Sequence, residues 1–153
     1  MPAQDILDLN SIRMDAPSHS KKRVLEQAAQ LLAKGDSEFG ERIFERLLER
    51  ERLGSTGLAG GVALPHARMP GIRQTRGAFL KLDRPVDFDS VDGKPVDLVF
   101  ALLVPEEATK EHLELLAELA GLFHDANLCE RLRNATAEQA LSIFTQDHAH
   151  NAA

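Results

Sequence analysis

The 153-residue chain contains no tryptophan, no tyrosine and a single cysteine, Cys129. Each absence closes a class of function. Without Trp or Tyr there is little from which to build a base-stacking platform for single-stranded nucleic acid. The seven phenylalanines must therefore sit in a mostly aliphatic core. One cysteine forms no intrachain disulfide and offers one thiolate, which excludes a disulfide scaffold and a cysteine-rich zinc site. Its helical context makes it a semi-buried thiol. Positive charge is also short. The formal net charge is −6, and the basic clusters Lys21-Lys22-Arg23 and Arg131/Arg133 are brief, so neither nucleic acid nor an anionic membrane surface is expected as a partner. No run approaches the about 18 apolar residues of a membrane span. The N-terminal MPAQDILDLNSIRMD carries acids where a signal peptide has a basic end and an apolar run. The expectation is a cytoplasmic protein with no membrane insertion.

What is present is a globular composition, 43% hydrophobic, in a length that suits one domain. Residues 1–17 read as an N-terminal arm, with Ile6, Leu7, Leu9 and Ile12 forming a short strand or turn against the body. Ser18 or Ser20 caps a first helix over 21–34, with Val24, Ala28, Leu31 and Leu32 on its buried face. Gly35 closes it. Asp36 or Ser37 opens a second helix, striped by Phe39, Ile43, Phe44, Leu47 and Leu48 and heavily charged on its other face. Ala78, Leu80 and Leu82 alternate as in a half-buried strand. Val96–Val104 is nearly continuous apolar sequence, the pattern of a central strand covered on both faces. Asp92-Gly93 favours a tight reversal between them. This acidic loop is a poor calcium loop, because Leu98 stands where the closing Glu belongs. A third helix over 110–124 carries Leu113, Leu116, Ala120 and Phe123 on one stripe, widened by Leu115, Leu119 and Leu122. Two short helices follow over 127–134 and 137–144, the second capped by Thr136. Residues 146–153, with His148 and His150, read as a flexible tail. Helices precede and follow the strands with no repeat or linker. The fold class is therefore a single α/β domain over 18–145, a central mixed β-sheet flanked by helices on both faces.

The chemistry concentrates in Gly54–Arg68, GSTGLAGGVALPHAR. A Gly-Ser-Thr-Gly turn and a second glycine pair lead to the short strand Val62-Ala63-Leu64, which stops at Pro65 and delivers His66 to a strand end. Two readings fit: a surface histidine on an edge strand, or a histidine that receives and passes on a group beside anion-holding backbone donors. A second histidine, His112, lies in the first turn of the helix after the apolar strand. If the two strands are parallel neighbours, both imidazoles meet beyond their carboxyl ends, where open α/β sheets bind ligands. Otherwise His112 is a core histidine. Arg50 and Arg52 end the second helix just before the glycine turn. A guanidinium there, with turn N–H groups and hydroxyls, makes a phosphate-sized cradle, although each alone reads as a surface residue. Two histidines without nearby cysteine do not make a zinc site. The stretch lacks the Lys-Ser/Thr ending of a nucleotide phosphate loop, a G-x-G-x-x-G register and a G-x-S-x-G element, so no metal and no cofactor is expected.

Taken together, GSTGLAGGVALPHAR, VDLVFALLVPEEATKEHLELLAELAGLF and SKKRVLEQAAQLLAKG resemble enzyme IIA of the bacterial phosphoenolpyruvate-dependent phosphotransferase system, fructose/mannitol class, in its nitrogen-regulatory branch. The resemblance runs from Ile6 to Phe144. It implies that His66 is the phosphorylated residue, at Nε2, and that His112 helps to position the phosphoryl group. It further implies that Arg50 contacts the phosphate and that Ser55 and Thr56 occupy the turn facing it. It implies a histidine phosphocarrier protein as donor and regulated target proteins downstream. The alternatives are a sugar-specific enzyme IIA that feeds a separate permease component, or a regulator on the same fold without phosphotransfer. Ala67 departs from the glycine common in the family, and only a modest backbone difference is expected there.

Overall fold

The computed structural model describes residues 6–152, the side chains of Thr109 and of residues 146–152 excepted. Its elements are a 3-10 turn at Leu9–Ser11, β1 (Ile12–Ala16), α1 (Lys21–Ala33), α2 (Ser37–Leu53), β2 (Val62–Ala63), β3 (His66–Met69), β4 (Arg76–Val86), β5 (Val96–Pro105), α3 (Thr109–Phe123), α4 (Ala126–Arg133) and α5 (Ala137–Ala152). The sheet order is β1-β4-β5-β2, with β3 also on β5. Only β4 and β5 run antiparallel; β1 on β4, and β2 and β3 on β5, are parallel. The crossover from β1 to its parallel neighbour β4 contains α1 and α2, which cover one face of the sheet, whereas α3, α4 and α5 follow β5 and cover the other; β2 and β3 reach β5 through β4, with no helix between.

The period-2 alternation of β5 divides the core. Val99, Ala101 and Leu103 face the layer built by α1 and α2. Leu98, Phe100 and Leu102 face the layer built by α3, α4 and α5. In β4 the expected row Ala78, Leu80, Leu82 enters the first layer. The strand is buried on both faces around it, because Phe79 occupies the opposite side and packs edge-on against Phe144 at 5.0 Å. Phe100 meets the same ring at 5.2 Å. Four of the seven phenylalanines thus form one aromatic cluster, Phe123 being the fourth.

Local chemistry sets the helix ends. Ser20 accepts from Arg23 N–H at 3.1 Å and opens α1; Asp36 accepts from Phe39 N–H at 3.1 Å and opens α2. Lys34 and Gly35, both at positive φ, turn the chain between them. Thr136 and Gln139 cap α5 reciprocally. In α3 the inward face is Leu115, Leu119 and Phe123, whereas Leu113, expected on the buried stripe, is 62% exposed. Two residues on a helix are about 200° apart, so seating Leu115 on the sheet turns Leu113 outward. Gly93 N–H bonds Ser90 O at 3.0 Å with φ 73°, the expected reversal. Of the arm 1–17, residues 1–5 lie outside the described residues. The backbone of α5 continues through 146–152, and the side chains of His148 and His150 lie outside the described set.

Candidate functional site

Pro65 splits one edge strand into two. Having no N–H it cannot donate to a ladder, yet its carbonyl accepts from Leu102 N–H at 2.9 Å, and the chain resumes pairing at once. His66 therefore opens β3, opposite Leu102, rather than ending the strand before it. Alternation then sends Ala67 and Met69 into the α1/α2 core and leaves His66 and Arg68 on the other face. Ala67 sits in ordinary strand backbone, not at positive φ, so alanine costs nothing there.

His66 Nδ1 lies 2.8 Å from Leu64 O. A carbonyl only accepts, so Nδ1 carries the hydrogen and the neutral ring keeps its lone pair at Nε2. Burial lowers the His66 pKa below the ordinary value; the bond to Leu64 opposes this, Arg50 adds to it and Glu51 opposes it. At neutral pH the imidazole is uncharged, as an attacking nitrogen must be. His112, in the first turn of α3, is 7% exposed. Its ring is 5.1 Å from that of His66, centroid to centroid, at 74°. Neither of its nitrogens has a hydrogen-bond partner. Burial, reinforced by His66, Arg68 and Arg50, pushes its pKa down to about 4. A buried neutral imidazole with an unused N–H is a donor waiting for an acceptor.

The two histidines share an open hollow of ≈ 710 Å³ with Arg46, Glu49, Arg50, Arg52, Leu53, Ala67 and Arg68. Arg46, Arg50 and Leu53 come from successive turns of α2, which lies along the edge strand; Arg46 Nη1 donates to Arg68 O at 3.4 Å. Arg50 Nη1 donates to Gly54 O at 2.8 Å and so closes the end of α2. No arginine of the hollow is ion-paired among the described residues. Four guanidiniums against one carboxylate leave three formal positive charges in a chain of net −6. Such a place attracts an anion.

The structure thus brings together His66, His112 and Arg50, and with them Arg52. Ser55 and Thr56 have other employment. The Ser55 hydroxyl bonds Phe88 O and accepts from Gly57 N–H at 3.0 Å. Thr56, buried, donates its N–H at 2.9 Å and its hydroxyl at 2.5 Å to Glu51. They shape the turn, and neither lines the hollow. Sequence reasoning missed Arg68 and Arg46. Their signals were there: i+2 from His66 on a strand, and i−4 from Arg50 on a helix. It also missed Glu51, the buried carboxylate that ties Thr56 to Lys21 at 2.9 Å. Among the described residues no three His, Cys, Asp or Glu side chains are placed to hold a metal ion. Among the described residues, no helix is long and apolar enough to cross a membrane.

The family model described as phosphoenolpyruvate-dependent sugar phosphotransferase system, EIIA 2, matches residues 5–147. A nitrogen regulatory protein of Pseudomonas aeruginosa is 50% identical over 145 residues, 94% of each chain. That of Escherichia coli K12 is 40% identical over 143 residues, 93% of this chain and 88% of the other. Among solved structures, the nitrogen regulatory protein IIA-Ntr of Neisseria meningitidis aligns with a TM-score of 0.86 at 48% identity, covering 92% of this chain and 97% of that one.

Proposed function

The chain belongs to the EIIA 2 family of the phosphoenolpyruvate-dependent sugar phosphotransferase system, and on that premise we propose that it is a cytoplasmic phosphocarrier of the nitrogen-regulatory type that takes a phosphoryl group on His66 from a histidine phosphocarrier protein. The observation that carries this reading is the pair of imidazoles, rings 5.1 Å apart, in a hollow with three uncompensated positive charges. The Nε2 lone pair of His66 attacks the phosphorus of the donor's phosphohistidine. As the new N–P bond forms, the donor's N–P bond breaks and its electron pair returns to the donor ring. His66 Nδ1 keeps its hydrogen throughout, donated to Leu64 O. Positioning and charge do the remaining work, because little covalent machinery is needed for phosphoryl transfer. Arg50 and Arg68 lie where they offset charge on the transferred group, and the unpartnered N–H of His112 is placed to donate to one of its oxygens. Ser55 and Thr56 serve by holding the turn.

Phosphorylation also changes what the surface presents. A phosphoryl group brings about −1.5 to −2 charges, which cancels much of the positive excess of the hollow. Target proteins that dock there distinguish the two forms by that difference. The relatives named as nitrogen regulatory proteins support this regulatory reading over a sugar-specific component. The test is incubation with the upstream phosphotransferase proteins and labelled phosphoenolpyruvate. Acid-labile, base-stable label is expected on the wild type and absent from His66→Ala; equal labelling of both refutes the assignment.

A further inference from the structure

We propose that Arg46 and Arg52, with the exposed leucines Leu53 and Leu113, form a docking collar that selects a phosphoryl donor whose own face is acidic around an apolar centre. The proposal rests on the phosphocarrier reading and adds the chemistry of the partner. Three observations carry it. First, the charge is more than the chemistry needs. Arg50 and Arg68 are the arginines close enough to influence the buried His112, and their two charges match one phosphoryl group. Arg46 and Arg52 sit on the exposed rim of the same hollow and are surplus to it. Like charges gathered without ion pairs repel, so a rim of this kind persists where a partner of opposite sign covers it.

Second, large apolar side chains stand open beside that rim. Leu53 is 85% exposed and lines the hollow. Leu113, 62% exposed, follows His112 directly on α3. They come from different helices, Leu53 lining the hollow and Leu113 adjoining His112 in sequence. An apolar centre with a charged rim is the anatomy of a transient protein interface, and neither residue is used by the transfer step. Third, the reacting nitrogen lies within this ring, so a donor that reaches it must cover Leu53 and the arginines as it docks. A small phosphorylated metabolite would need neither. With Arg50 and Arg68 matched by the phosphoryl group, Arg46 and Arg52 against Glu49 leave one positive charge on the rim, which opposes a basic face and favours an acidic one.

The experiment uses one histidine phosphocarrier protein, phosphorylated, in two versions that carry Glu or Lys at the same exposed positions around its histidine. At low salt, transfer to the wild-type chain is expected to be roughly tenfold or more faster from the Glu version. The advantage should fade as ionic strength rises from about 0.01 to about 0.5 M. Arg46→Glu/Arg52→Glu should reverse the order of the two donors. Phosphoramidate, a small donor with no docking face, reports the site itself. At about 0.5 M salt, where long-range steering is screened, its labelling of His66 should fall less in the variant than transfer from the Glu carrier falls at low salt. Equal transfer from both carrier versions overturns the collar, as does an unreversed preference in the variant. So does a variant whose labelling by phosphoramidate falls as far as its transfer from the Glu carrier, since the arginines would then act only on the chemistry. A wild type that neither phosphoramidate nor a carrier labels overturns the phosphocarrier reading instead.

Discussion

Replacing Glu51 by alanine tests whether the Gly54–Gly57 turn is held by a buried ionic hub. The Glu51 side chain is 3% exposed. It pairs with Lys21 at 2.9 Å and accepts from both the N–H and the hydroxyl of Thr56. Lys21 in turn reaches Phe88 O at 3.4 Å, the carbonyl to which the Ser55 hydroxyl also donates. One carboxylate therefore joins the start of α1, the end of α2, the Gly54–Gly57 turn and the loop before β5. Removing one partner of a buried ion pair costs about 3–5 kcal/mol. Lys21 keeps the Phe88 carbonyl and is 23% exposed, which places Glu51→Ala near the lower end, about 3 kcal/mol. At about 2–4 °C per kcal/mol for a domain of this size, the melting temperature should fall by about 6–12 °C. Glu51→Gln retains an acceptor for the Thr56 N–H and should cost about half as much. Urea unfolding of both variants, with Lys21→Met to complete a double-mutant cycle, measures these losses and a coupling of at least about 1 kcal/mol. Phosphoryl acceptance should slow as well, because Arg50 closes on Gly54 at the edge of the same turn. A loss below about 1 kcal/mol, with no coupling to Lys21, would refute the hub.

Two further outcomes follow from the geometry. Burial keeps His66 and His112 neutral in the fold, while in the unfolded chain both titrate near 6.5. Their contribution to stability is thus complete above pH 6.5 and is lost as pH falls from there, for His112 through about 4. Labelling of His66 by phosphoramidate should likewise hold at pH 6.5 and decline only in more acid solution; a midpoint at or above 6.5 contradicts the burial argument. Gly60 and Gly61 share φ 83°, but only at Gly61 would a Cβ meet neighbours, Arg133 Nη2 at 2.8 Å and Asp97 Oδ1 at 3.1 Å. Gly60→Ala should cost about 1 kcal/mol for left-handed backbone. Gly61→Ala should cost more by the disturbance of the Arg133–Asp97 ion pair, and equal losses in chemical denaturation would rule that clash out.

Much of this was legible before any coordinates. Ser20, Asp36 and Thr136 announced their helices through capping chemistry, which is local. The uninterrupted Val96–Val104 run announced the central strand, because burial on both faces demands it. The histidines and Arg50 were legible as candidates by residue type and spacing. Other features were not. Phe79 seals the outer face of β4 only because Phe144, far along the chain, folds back on it. The helical pattern of α3 was broad enough to fit two rotations, and contact with the sheet chose the one that exposes Leu113.

The sequence by itself determined where helices start, which strand lies at the centre and which side chains are candidates for the site, since capping, periodicity and acid–base character act over a few residues. Only the tertiary structure decided that β2 and β3 run parallel to β5, and this brings residues 66 and 112 to one hollow. It alone committed the Ser55 and Thr56 hydroxyls to Phe88 and Glu51 and brought Arg46 and Arg68 to the hollow. These are pairings between distant segments, and a hydrogen bond or a field between two groups depends on their separation in space, which the spacing along the chain does not encode.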